Sequence, residues 1–176
     1  MAKVETLAWF DGDILPIQEI RVSPLAHSLH YGTGVFEGLR CYAQQGGGGG
    51  IFRLQDHLAR LFDSARILGY EIPFTAEQLA QAARDVLRKN GMDTAYLRPL
   101  VWLGEGQMGV AGGANPVHVM IAVWHWGAYL GDEGLRRGIR VQIGSYERAT
   151  GNASAQRAKI TGQYVTSFMA KRQARS

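Results

Sequence analysis

Lys159 lies in a run of small and aliphatic residues, Ala158-Lys159-Ile160-Thr161-Gly162, and Tyr164 follows five positions later. An amine in such a setting can be a nucleophile toward a carbonyl and then shuttle a proton. A lysine of ordinary pKa is only about 0.04% neutral at pH 7, so a nucleophilic one must be desolvated or set beside other cations. Ala158, Ile160 and Gly162 offer the small apolar setting, and Arg148 and Arg157 are the candidate cations. The competing reading of Lys159 is a solvated surface charge, and that of Tyr164 is a helix tyrosine packed in a core.

Two arginines draw attention for different reasons. Arg98 interrupts the apolar run Ala95 to Leu103 and precedes Pro99, which suggests a buried or pocket-facing cation in need of an anionic partner. Arg60 lies two residues after Leu58 and off the apolar stripe of its helix, so pattern alone pairs it with Asp56 or Asp63 on the surface. The five glycines Gly46 to Gly50 could cradle phosphate. They lead into a strand rather than a helix and lack a following Lys-Ser/Thr, which favours a flexible hairpin tip.

The elements that must position these groups follow from periodicity. Val4 to Phe10, turning at Asp11-Gly12 into Ile14 to Ile17, reads as a hairpin. Thr33 to Ala43 and Ile51-Phe52 read as extended. Leu54, Leu58, Leu61, Ala65 and Leu68 recur at spacings of three and four and predict a helix ending at Gly69. Thr75 with Gln78 predicts a capping box, and Leu79, Ala82, Ala83, Val86 and Leu87 the buried stripe of a second helix stopped by Asn90-Gly91. Ala95 to Leu103, Val117 to Trp126 and Ile139 to Ile143 read as strands, and Gly162 to Arg175 as a helix. A glycine-rich loop from Gly104 to Pro116 separates two of the strands and can approach a ligand closely.

The 176 residues suffice for one core of ordinary size, or for one domain and part of another. With 46% hydrophobic and 19% charged residues the composition is that of a soluble globular protein. Residues 1–147 hold 13 basic and 15 acidic side chains, whereas the last 29 hold six basic and no acidic ones. The net charge of +4 therefore belongs to a tail without interleaved aromatics, which argues against nucleic acid. The single cysteine, Cys41, and the absence of Cys/His spacing for a metal point to a reducing, cytoplasmic setting; no segment reads as a signal or membrane span.

Five separated motifs share one resemblance. Ala158 to Ser167, His30-Tyr31-Gly32-Thr33-Gly34-Val35-Phe36-Glu37-Gly38-Leu39-Arg40-Cys41-Tyr42, Leu58-Ala59-Arg60-Leu61, Ala95-Tyr96-Leu97-Arg98-Pro99-Leu100 and Trp126-Gly127-Ala128-Tyr129-Leu130-Gly131 together resemble the branched-chain aminotransferases of fold type IV. The resemblance covers essentially the whole chain. It implies an α/β fold: an N-terminal mixed-sheet domain with two helices over 1–130, a linker over 131–138 and the start of a cofactor domain over 139–176. It implies pyridoxal 5′-phosphate as cofactor, with Lys159 as its Schiff-base lysine and proton carrier, Tyr164 on its phenolic oxygen and Arg60 on its phosphate.

The same resemblance assigns Tyr96 to the substrate α-carboxylate, and Arg98 with Tyr31 to the distal carboxylate of glutamate. Phe36, Gly38, Val110, Trp126 and Tyr129 would complete a pocket for leucine, isoleucine or valine. The implied reaction exchanges the amino group of these amino acids with 2-oxoglutarate, in a homo-oligomer whose glycine-rich loop around Val110 reaches a neighbouring subunit. Family members carry more chain beyond these motifs, including a carboxylate for the pyridine nitrogen, so the sequence is expected to be an N-terminal portion. An inactive fragment or interaction module, and another fold type IV activity such as D-amino-acid transamination or aminodeoxychorismate lysis, are the alternatives.

Overall fold

The computed structural model describes residues 6–127, 131–149 and 155–175. Strands β1 (Leu7–Phe10) and β2 (Asp13–Pro16) form the expected hairpin. Its turn uses positive φ at Asp11 and Gly12, and the Asp11 carboxylate accepts from the backbone of Val119 (2.7 Å) and meets His118 Nδ1 (2.6 Å). A five-residue helix, α1 (His27–Tyr31), follows, then β3 (Val35–Phe36), β4 (Leu39–Ala43) and β5 (Gly49–Ile51). Helices α2 (Leu54–Ile67) and α3 (Ala76–Lys89) precede the two long strands β6 (Ala95–Leu103) and β7 (Val117–Trp124). The described residues form one antiparallel sheet in the order β2-β1-β7-β6-β4-β5, with β3 also on β6.

Both helices match their sequence patterns. Leu54, Leu58, Leu61, Ser64 and Ala65 are the buried stripe of α2. Thr75 and Gln78 exchange both bonds of a capping box at the start of α3, and Gly91 takes φ +63° beyond its end. Asn90 then ties α3 to the sheet, accepting from Leu7 N (2.9 Å) and donating to Leu7 O (3.0 Å). The core lies between these helices and one sheet face, where Leu39, Leu58, Leu61, Leu79, Leu97 and Ile121 are fully buried.

The expected strand Thr33 to Ala43 is interrupted. β3 and β4 keep one register on β6, with Phe36 opposite Leu100 and Leu39 opposite Leu97, so Glu37 and Gly38 fall opposite Pro99 and Arg98. Pro99 has no N–H to give the ladder, and only Glu37 N donates across the gap, to Pro99 O (2.9 Å). The hairpin tip predicted at Gly46 to Gly50 shortens, because Gly49 and Gly50 pair with Ala43 and Tyr42. Strand β7 stops at Trp124, two residues earlier than expected.

Ile139 to Ile143 is not a strand. No partner pairs with it among the described residues, and Val141 and Ile143 stand almost fully exposed; an isolated strand has nowhere to place its backbone bonds. The stretch expected as a linker carries a short helix, α4 (Gly131–Arg137). The expected C-terminal helix opens with a 3-10 turn, Thr161–Gln163, and continues as α5 (Tyr164–Gln173).

Candidate active site

Strand alternation sorts the site residues before any side chain is considered. On β6, Ala95, Leu97, Pro99 and Val101 are buried toward the helices, and Tyr96, Arg98 and Leu100 point the other way. Cross-strand register puts Phe36, Gly38 and Arg40 on that second face beside Leu100, Arg98 and Tyr96, and Trp124 opposite Tyr96. The Arg98 guanidinium carbon stands 4.6 Å from the Phe36 ring centre and 5.4 Å from that of Tyr96, and Arg98 Nη2 donates to Tyr96 Oη (3.1 Å). Arg98 Nε is buried without a hydrogen-bond partner. Trp126 packs edge-on to Tyr96 at 4.6 Å, with its carbonyl accepting from Arg40 Nη2 (2.8 Å).

Gly38 is required by this cluster. A Cβ built on it would lie 1.9 Å from Tyr96 Oη, closer than any real contact, so any larger residue would displace the tyrosine.

Lys159 reaches the same face from the sheet edge. Its segment pairs with the outer side of β3, with Ile160 bridging Val35. Phe36 N donates to Lys159 O (3.1 Å), Thr161 N to Gly34 O (2.8 Å) and Gly162 N to Gly32 O (3.0 Å). The approach depends on two glycines: Gly32 has φ +66°, and a Cβ there would lie 2.8 Å from Gly162 Cα. From the other side Ser64 of α2 accepts from Lys159 N (3.0 Å) while donating to Arg60 O (2.8 Å). Ala158 and Ile160 are buried in the core, which fixes the backbone on both sides of the lysine.

Lys159 Nζ contacts Tyr164 Oη and lies 4.6 Å from the Phe36 ring centre. The tyrosine ring itself packs on Phe36 at 4.9 Å. Arg60, Arg148, Arg157, Lys159, Tyr164 and Ser167 are among the residues lining a cleft of about 270 Å³. Among the described residues, none that lines it is acidic. Three guanidinium forks, an amine and a phenol suit a compound carrying a phosphate, a phenolic oxygen and a carbonyl, so the donor set fits pyridoxal 5′-phosphate.

Arg60 departs from its sequence-based pairing. Arg53 takes Asp56 and Arg66 takes Asp63, whereas Arg60 clasps Glu37 through Nε and through Nη2 (2.7 Å to Oε2). The Glu37 side chain is fully buried, and His57 Nδ1 lies 2.8 Å from the same oxygen. Burial pushes the Glu37 carboxyl up, but hydrogen bonds from Arg60 and His57, the Arg60 charge and the Gly38 N–H outweigh it and leave it below its ordinary range. The same partnership raises Arg60. With Nε and one hydrogen of Nη2 committed to Glu37, the two hydrogens of Nη1 and the second of Nη2 remain for another acceptor.

The structure thus brings Lys159, Tyr164, Arg60, Phe36, Gly38, Tyr96, Arg98 and Trp126 into two adjoining groups joined at Phe36. Tyr31 and Val110 have other surroundings: Tyr31 packs on His27 with ring centres 4.6 Å apart, and Val110 is 84% exposed in the glycine-rich loop. Tyr129 falls outside the described residues. Pattern reading passed over Glu37, Ser64 and Arg40. Glu37 was detectable, since alternation through Val35, Leu39 and Cys41 sets a carboxylate on the apolar face.

The family model described as amino-transferase class IV matches residues 34–176. The chain belongs to the class IV aminotransferases. The chain is 43% identical over 174 residues to the branched-chain-amino-acid aminotransferase of Pseudomonas aeruginosa, covering 99% of itself and 56% of that relative. It is 41% identical to the Escherichia coli K12 enzyme of the same name, over 95% of itself and 54% of the relative. The crystal structure of the Escherichia coli enzyme superposes with a TM-score of 0.93 at 40% identity, covering 97% of this chain and 56% of that one. The branched-chain aminotransferase of the thermophilic archaeon Thermoproteus uzoniensis, solved with norvaline, gives 0.89 at 37% identity, covering 97% and 56%. The chain thus has the α/β architecture of fold type IV aminotransferases and spans about half the length of the relatives it matches.

Proposed function

We propose that this chain supplies the lysine and the substrate-facing wall of a pyridoxal 5′-phosphate-dependent aminotransferase that exchanges amino groups between leucine, isoleucine or valine and 2-oxoglutarate. The observation carrying this reading is the contact of Lys159 Nζ with Tyr164 Oη in a cleft bearing three arginines, beside the aromatic face of Phe36, Tyr96 and Trp126. When bound, the cofactor supplies an aldehyde for amine capture and a ring that delocalises the electron pair left at the substrate α-carbon.

Arg60, with Arg148 and Arg157, would hold the phosphate, and Tyr164 would donate to the phenolic oxygen. Lys159 Nζ would take the proton from the substrate α-carbon and return one on the other side of the exchange. Phe36, Trp126 and Tyr96 would exclude water around a branched side chain. Arg98, whose Nε has no partner, would meet the distal carboxylate when glutamate or 2-oxoglutarate replaces it. The domain division at 1–130, 131–138 and 139–176, a cytoplasmic location and a homo-oligomer belong to the same proposal.

The test is titration of the chain with pyridoxal 5′-phosphate, borohydride reduction and peptide mapping. One saturable adduct on Lys159, lost in Lys159→Ala, is the expected result. An adduct absent or scattered over many lysines would sink the assignment.

A further inference from the structure

His27 is a buried imidazole that the proposed chemistry does not use. It opens α1, is 1% exposed and joins the glycine-rich loop to the sheet. Its Nε2 lies 2.8 Å from Gly109 O and its Nδ1 3.2 Å from Thr33 Oγ1. Thr33 Oγ1 is 2.9 Å from Ser28 Oγ, which accepts from Leu103 N at the end of β6 (2.9 Å). The run of contacts therefore passes from a strand backbone through two hydroxyls and the imidazole to a loop carbonyl.

Both ends of this run are fixed in sense. A carbonyl oxygen only accepts, so Nε2 carries a hydrogen; a backbone N–H only donates, so Ser28 Oγ accepts it. If Nδ1 is unprotonated, Ser28 donates to Thr33, Thr33 donates to Nδ1, and every group gives one hydrogen and takes one. An imidazolium would be a charge in an almost fully buried position, and among the described residues no carboxylate bonds to it. Thr33 is itself anchored, since its carbonyl accepts from Tyr70 Oη (3.1 Å), whose burial pushes the phenol pKa up and keeps it a donor.

The loop is shaped to receive the clamp. Gly112 has φ +63°, and a Cβ there would approach His27 Nε2 to 3.4 Å; Gly112 N also donates to Gly109 O (2.9 Å). The Tyr31 ring rests on the imidazole, and Val110 follows directly on the bonded carbonyl. Tyr31 and Val110 are both candidate substrate residues, and neither lines the lysine cleft.

We propose that His27, held as the neutral Nε2–H tautomer, is the positioning residue that clamps the glycine-rich loop to β6 and sets Tyr31 and Val110 as one unit. The clamp is independent of whether the cleft takes the cofactor, so its test can fail while the cofactor reading stands.

Nitrogen-15 NMR of the imidazole in the wild-type chain should give a protonated Nε2 and an unprotonated Nδ1. Hydrogen exchange across 106–113 should then separate two variants. His27→Gln presents an amide N–H toward Gly109 O and should keep loop protection within a few-fold. His27→Leu, similar in bulk and without a donor, should lose about tenfold in the loop, the equivalent of one hydrogen bond. A protonated Nδ1, or equal loop protection in the two variants, would overturn the clamp. The wild-type spectrum decides the tautomer even if His27→Leu does not fold.

Discussion

In the body of the molecule Leu58, Leu61, Leu79, Leu97 and Ile121 are closed off completely between two helices and a sheet, whereas in α5, the helix after the lysine, no side chain is buried and Val165 and Phe168 are about 60% exposed. The body is held by apolar burial. The lysine segment is held at one end, over 158–162, by backbone bonds to β3 and its approach, by Ser64 and by the Gly32–Gly162 contact. The position of Lys159 is therefore set by strand pairing, close backbone approach and the burial of Ala158 and Ile160, while α5 adds the contact of Tyr164 with Phe36 and no buried side chain.

That contrast can be broken by mutation. Leu61→Ala removes a fully buried side chain of the body and should cost about 3 kcal/mol, read as one global transition in denaturant. Retention of most stability would mean that the body is not held as described. Glu37→Gln acts where body and site meet and should cost about 2 kcal/mol at neutral pH, reduced from the fully buried case because the Arg60 side chain is half exposed. The Glu37 carboxyl is lowered in the folded chain. Its stabilisation is therefore present above the ordinary carboxylate range and is lost as pH falls through the lowered value. The gap between wild type and variant should narrow on acidification from neutral pH, and a gap constant with pH would contradict the ion pair.

Gly32→Ala sharpens the comparison most finely. A side chain at φ +66° and against Gly162 should cost about 1 kcal/mol locally and release the lysine segment. Limited proteolysis near 158–162 should accelerate while the denaturation of the body hardly moves. Equal loss in both regions would show that they are one cooperative unit.

Much of the body was legible in the sequence because periodicity reports burial: the stripes of α2 and α3 appear as predicted, and β6 lies where a strand was expected, its alternating burial hidden in an apolar run. Elements whose bonds lie elsewhere in the chain were not. Ile139 to Ile143 has the composition of a strand but, among the described residues, no partner beside it. Arg60 has two acidic residues at helical spacing, yet both bond to other arginines, and its partner is a carboxylate on the strand side. Lys159 and Tyr164 stand in one motif, and the fold brings their side chains into contact. The closeness of Gly32 and Gly162 was not, since each reads as an ordinary loop glycine until the two backbones meet.

The bond from Thr161 to Gly32 spans 129 residues of chain. Closing so long a loop is slow compared with forming hairpins and helices from near neighbours. During synthesis, which runs from the N-terminus, the hairpins, both long helices and the two long strands all emerge from the ribosome before Lys159 does. The amine is therefore synthesised after the strands and helices whose surface it meets.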